Sequence, residues 1–273
     1  MASRKTALLV KTITALSFAA MILVNILANL LPINGVTTGE AADRYPTLFT
    51  PAPYTFTIWT LIYLLLLCFT VYFVFHKGEN SQTAALLYKV GMYFSISSVA
   101  NLLWVIAFHY GMVGLSVLLM AVLLTCLILI VKELCNASLT PTQSLLVALP
   151  FHVYLGWITV ATIANVAAML VGLGWNGFGL SSEFWTVVML IAGGVIGIIT
   201  ARRIGSIAYL LVLIWAYLGI LVKHLSPSFF ARQYPWVIWA AALCIAAFIA
   251  AAGMLWRAKH KAISNGENTS YRQ

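Results

Sequence analysis

Long apolar runs, each closed by a short polar stretch, repeat along the whole chain. Eight segments stand out, at about residues 7–31, 54–75, 87–109, 112–132, 142–170, 183–201, 205–224 and 235–257. A helix needs about 20 apolar residues to cross the hydrocarbon of a bilayer. The runs do not alternate in blocks of about 10 residues, as the strands of a membrane barrel would. Only internally hydrogen-bonded helices or closed barrels can span lipid. The pattern therefore predicts an all-α integral membrane protein with about eight transmembrane helices. The break around Tyr110-Gly111 is short. The run on both sides of it is nevertheless far too long for one crossing, so two helices are expected.

Composition agrees with the pattern. Of 273 residues, 63% are hydrophobic and 8% charged, against roughly 25% charged in a soluble domain. The net charge of +9 does not point to nucleic acid, because the basic residues stand singly or in pairs at the ends of apolar runs. With the N-terminus inside, the inner side holds Arg4, Lys5, Lys11, Lys77, Lys89, Lys132, Arg202, Arg203, Arg257, Lys259, Lys261 and Arg272. The outer side holds only Arg44, Lys223 and Arg232. The positive-inside rule then puts both termini in the cytoplasm, and argues against seven or nine spans. The first run exceeds the roughly 7–15 residues of a signal-peptide core and has no small-residue cleavage site after it. It is expected to stay as the first helix. Cys68, Cys126, Cys135 and Cys244 show no CxxC spacing, and read as small buried hydrophobes rather than disulfides or metal ligands.

The longest connection, residues 32–53, carries Glu40, Asp43, Arg44 and four prolines. Connections of that length are often lids, and a plain linker is the alternative. The polar tail at 261–273 is expected to be disordered. Gly193-xxx-Gly197 has the spacing of a helix-packing motif, one common by chance in apolar helices.

Three groups of polar and aromatic residues lie inside apolar helices. Phe56, Trp59 and Tyr63 share one face of the second, at spacings of three and four. Asn101, Trp104 and Phe108 do the same on the third, and Tyr154, Trp157, Ala161 and Asn165 on the fifth. Buried indole N–H and amide groups need partners, so these faces should turn inward, as a packed polar seam or as an aromatic pocket. His152 and His109 are intramembrane ionisable groups; a neutral ring bonded to a backbone carbonyl is the plain reading. His76, His224 and His260 read as interfacial, and Trp215, Trp236, Trp239 and Trp256 as interface anchors. Glu183 reads as a cap on the sixth helix. The sequence offers no P-loop, GxSxG, HExxH or pair of intramembrane carboxylates. No catalytic residue, metal site or cofactor is expected, and the chain does not read as an enzyme.

These groups resemble the TspO/MBR family, the tryptophan-rich sensory proteins of bacteria and the mitochondrial translocator or peripheral benzodiazepine receptor. The family has a Pro-rich loop leading into W-x-x-x-Y; here Pro51-Ala-Pro53 precedes Trp59-Thr-Leu-Ile-Tyr63. Its N-x-x-W appears as Asn101-Leu-Leu-Trp104, and its Y-L-x-W-x-x-x-A-x-x-x-N as Tyr154 to Asn165. Val153 stands where the family has proline, His109 replaces a second phenylalanine, and Phe56 is one residue out of register. The cholesterol-recognition stretch of animal members is not evident after Asn165. The resemblance covers residues 7–175 and divides the chain into a five-helix unit (1–175), three additional helices (176–260) and the tail (261–273). It implies a five-helix bundle whose pocket binds porphyrins and other flat hydrophobic ligands. That pocket would be lined by Trp59, Tyr63, Asn101, Trp104, Tyr154, Trp157 and Asn165, with the loop at Pro51 and Pro53 as lid. The expected role is a binding or sensory protein of the bacterial plasma membrane; the alternative is a small-solute permease. The bilayer and a hydrophobic small molecule, a tetrapyrrole among the candidates, are the expected partners. A homodimer is left open.

Overall fold

The computed structural model describes residues 4–31, 33–36, 38–77 and 81–264. Eight long helices account for most of them: α1 Arg4–Leu30, α2 Ile58–Phe75, α3 Ser81–His109, α4 Val113–Cys135, α5 Pro141–Gly172, α6 Ser182–Ile204, α7 Ile207–Leu225 and α8 Pro235–Ser264. No strand occurs among the described residues. All eight helices are long and apolar enough to cross a membrane. The all-α, eight-span expectation holds.

Helix ends follow local chemistry. The short break after α3 is a Schellman motif: the Met112 N–H donates to Ala107 O at 2.9 Å and the Gly111 N–H to Phe108 O at 3.1 Å. Gly111 supplies the left-handed φ of +72° that this turn needs. The side chains of Ser181 and Ser206 accept from the third residue of α6 and α7. Thr140 and Gln143 form a reciprocal capping box on α5. α5 then widens into one π-turn at Ser144–Ala148. Pro150 follows directly, lacks an N–H and would press on the carbonyl four residues back. The wider turn accommodates it. α3 starts at Ser81, six residues before the expected boundary, and α8 runs on to Ser264. The first opens on polar Ser81-Gln-Thr and the second carries Lys259, His260 and Lys261, and a helix continues readily where its side chains reach water. Residues 265–273, the rest of the expected disordered tail, lie outside the described residues.

Two compact units emerge. The first comprises residues up to Ala41 and Trp59–Leu155; the second comprises Ala42–Ile58 and the residues from Gly156 onward. α5 contributes to both.

In the first unit α3 packs against α1 and α4. Its core is aromatic. Phe69 meets Phe151 edge-on at 4.8 Å between centroids, and Phe94 lies 5.5 Å from each of them. All three are fully buried. Edge-to-face pairs contribute about 0.5–1.5 kcal/mol each beyond area. Polar side chains are paired inside the unit: Thr14 Oγ1 lies 3.0 Å from Ser95 Oγ and donates to Gly91 O.

In the second unit α8 packs on α7 and α6. The Gly193-xxx-Gly197 spacing proves to be a packing surface. Tyr217 Oη occupies the space a Gly193 Cβ would need, and Leu213 does the same at Gly197. Tyr217 Oη also donates to Leu190 O at 2.8 Å. Lipid gives helices no hydrophobic drive to associate, so close approach and hydrogen bonds carry the contact.

Phe69→Ala should lower the thermal unfolding midpoint in detergent far more than Leu61→Ala, whose side chain is half exposed. Truncating a buried Phe costs about 3–5 kcal/mol. Equal midpoints for the two variants would contradict the aromatic core.

Candidate functional site

Five of the seven expected ligand residues, Trp59, Tyr63, Asn101, Trp104 and Tyr154, belong to the first unit; Trp157 and Asn165 belong to the second. Four of the five form one connected group. Asn25 Nδ2 donates to Asn101 Oδ1 at 2.8 Å and to Met21 O at 2.9 Å. Asn101 Nδ2 in turn donates to Tyr154 Oη at 3.1 Å. Trp59 meets Tyr154 edge-on at 6.0 Å and stacks on Tyr63 at 5.4 Å. Asn25, Asn101 and Tyr154 are buried, whereas Trp59 and Tyr63 are half-buried. The network therefore has a satisfied polar interior and an aromatic face. Asn25 was not singled out by motif or spacing; an Asn in an apolar helix was the available signal.

Trp104 stacks on Phe108, one turn further along α3, with centroids 5.6 Å apart. Its indole Nε1 is buried without a hydrogen-bond partner among the described residues, a donor available to a ligand acceptor. Trp157 is buried and meets Phe56 edge-on at 5.8 Å. Asn165 is also buried. The buried His109 places Nδ1 2.7 Å from Val105 O. A carbonyl only accepts, so Nδ1 carries the proton.

The Pro-rich loop is fastened within the second unit. The Ala52 N–H donates to Gly219 O at 3.1 Å, and Trp215 Nε1 to Thr55 O at 2.9 Å. His224 Nε2 lies 2.8 Å from Leu48 O, so it too must donate. Tyr54 packs edge-on against Trp215 at 5.6 Å. Thr55 fills the space that a Cβ on Gly219 would need, so the loop touches α7 where that helix has no side chain. Pro51 is buried and Pro53 exposed. Two expectations are corrected here. Trp215 is a half-buried hydrogen-bond donor to the loop, not an interface anchor, and His224 is fully buried, not interfacial. Trp236, Trp239 and Trp256 are exposed, as anchors are. Glu183 sits in the first turn of α6, but its carboxylate accepts from the Trp236 N–H at 3.0 Å, capping α8.

A cavity of about 730 Å³ lies in the second unit, a size typical of small-molecule sites. The second half of α5 and the first half of α6 form its walls, with Pro46–Leu48, Phe230 and Tyr234 at its edge. None of the described residues lining it is charged. Trp175 and Trp185 lie 5.0 Å apart at one end, and Trp185 Nε1 donates to Gly177 O at 2.9 Å. None of the seven expected residues lines it. The available sequence signal was the pair of tryptophans flanking a Gly-rich turn.

A family model of TSPO-like proteins matches residues 11–254. The chain belongs to the TSPO-like family. The match runs on through α6, α7 and most of α8, beyond residue 175 where the motif resemblance stops. No curated protein and no solved structure matches the chain. The TSPO-like fold and the eight spanning helices make this a multi-pass integral membrane protein, and the family places it among membrane binding and sensory proteins. In this TSPO-like protein the loop that precedes the W-x-x-x-Y helix is anchored by α7, a helix outside the five-helix unit in which the motifs lie.

Gly219→Ala should free the loop. Amides of residues 48–56 are expected to lose hydrogen-exchange protection at least tenfold. Trp215→Phe removes one hydrogen bond worth about 1 kcal/mol, so it should cost roughly fivefold. Unchanged exchange in Gly219→Ala would show that the loop is held elsewhere.

Proposed function

We propose that this protein binds a porphyrin-like or other flat hydrophobic molecule inside the membrane and acts as a sensor or carrier of it, without converting it. The reading is carried by the stacked, half-buried Trp59–Tyr63 pair set edge-on to Tyr154. Flat rings stack on such a face. Asn101 and Asn25 hold Tyr154 from behind, so the face is fixed before ligand arrives. The unpartnered Trp104 Nε1 offers one polar anchor. Val153, His109 and the register of Phe56 depart from the family motif, which leaves the choice of macrocycle open to experiment.

The uncharged cavity between α5 and α6 favours a second location. A neutral aromatic ligand would suit its paired tryptophans, whereas the carboxylates of a porphyrin would meet no cation in its lining.

Titrating the detergent-purified protein with protoporphyrin IX, and following tryptophan quenching with inner-filter correction, tests both locations. Saturation at low micromolar ligand is expected, with Trp59→Phe at least fivefold weaker. Trp236→Phe, which removes an exposed ring, should bind like the parent. A loss in Trp185→Phe alone would move the site to the second cavity. Non-saturating quenching in every variant would mean partitioning into detergent and would refute the proposal.

A further inference from the structure

A second cavity, of about 400 Å³, lies in the first unit where α1 begins, α2 ends and α3 begins. Its polar lining is basic: Lys11 from α1, His76 and Lys77 from the end of α2, with the Tyr88 phenol from α3. The remaining walls are apolar, among them Leu8, Phe73 and Leu87. Among the described residues no carboxylate lines it. Glu133 is engaged by Lys89 at 3.1 Å, and neither lines the cavity.

The three basic groups are in different states. Lys11 Nζ donates to Val74 O at 3.1 Å and to His76 O at 2.7 Å, closing the carbonyl end of α2. An ammonium has three protons, so one remains for another acceptor. His76 Nε2 is buried without a hydrogen-bond partner among the described residues. Lys77 is exposed and makes no ion pair among the described residues. A buried polar atom left unsatisfied is costly. Two ammonium groups beside it, with no carboxylate among the described lining residues, favour an anion.

We propose that this cavity binds a phosphate group, with Lys11, Lys77 and His76 as its donors. The apolar wall and the position at the ends of three spanning helices suit a phospholipid headgroup, whose chains would run along the exposed Leu8. A soluble phosphate ester offers the same chemistry. The cavity lies at the side of the bilayer where the basic connections gather, and basic recesses at helix ends are where anionic headgroups are held. The site shares no residue with the aromatic face or the uncharged cavity, so it stands independently of both.

The proposal also has a pH signature. Burial first, and the neighbouring Lys11 charge second, hold the His76 imidazole below its ordinary value. The groups facing it are Lys11 from α1, Tyr72 and Lys77 from its own stretch of chain, and Tyr88 across the cavity. None supplies a negative charge near neutral pH. A bound phosphate would raise the imidazole's proton affinity. Binding should therefore tighten as pH falls through the histidine range and weaken above it.

Native mass spectrometry of the full chain, released from detergent containing equal phosphatidylglycerol and phosphatidylcholine of matched chains, tests this. Phosphatidylglycerol adducts are expected to survive at least threefold more often than phosphatidylcholine adducts, and more at pH 6 than at pH 8. His76→Gln and Lys77→Gln should each reduce that preference at least threefold, and His76→Gln should abolish its pH dependence. Among the described residues neither side chain makes a hydrogen bond. Lys89→Gln, which removes the same charge outside the cavity, should keep the preference. Competition by millimolar glycerol 1-phosphate would assign the site to a soluble phosphate; resistance to it would assign the site to the lipid. Equal retention of both lipids, or equal losses in all three variants, would overturn the proposal. So would a preference that emerges only in Glu79→Gln, which would mean the basic cluster normally neutralises a carboxylate of its own chain.

Discussion

No water reaches the hydrocarbon of a bilayer, so a backbone N–H or C=O that leaves its helix there can bond only to protein. Everything else in this structure follows from that restriction. It makes each apolar run helical along its length. It confines left-handed turns and extended backbone to the ends, as at Gly111 and at Ala52. It also removes the usual adhesive, because lipid tails are as apolar as the side chains they would release. The helices are held instead by shape and by directed polar contacts. The Phe69–Phe94–Phe151 cluster supplies shape in one unit, and Tyr217 and Leu213 against Gly193 and Gly197 supply it in the other.

The same restriction governs the polar groups that remain. Asn25, Asn101 and Tyr154 satisfy one another in a line. Such a line is rigid, because each member has few alternatives in an apolar surrounding. Its rigidity sets Trp59 and Tyr63 as a fixed aromatic face rather than a pair of loose rings. A flat ligand binding there would lose little to side-chain ordering, which is how preorganised sites gain affinity. Charge is handled oppositely. It is absent from the lining of the larger cavity and gathered at the helix ends around Lys11, His76 and Lys77. There, desolvation is partial and an anionic partner is at hand in the headgroup layer.

The loop before α2 shows how the last helices bear on the first motif. Its sequence suggests a flap, yet its backbone is bonded to Gly219, Trp215 and His224 of α7. Residues 176–260 are thus more than an appendage, and the family match extends across most of them. The glycine at 219 makes the contact possible, because a methyl group there would occupy the place of Thr55.

The eight spans were legible in the sequence because the distance across the hydrocarbon and the period of the helix are the same for every membrane protein. The faces carrying Trp59 and Tyr63, Asn101 and Trp104, and Tyr154 and Trp157 were legible for the same reason, since residues three and four apart share a helix side. Polar or basic helix extensions were not, because apolarity marks where lipid ends and not where helix ends. Partner choice was not legible either. Trp215 and Trp236 look alike in sequence, both being tryptophans in apolar helices. The difference is that Trp215 donates to Thr55, 160 residues away, while Trp236 is exposed. His224 and Leu48 are separated by 176 residues. Contacts of that range depend on which helix the returning chain lies against. Local periodicity is identical for either outcome, so the sequence alone determined the helices and their faces, and the tertiary structure decided what each face meets.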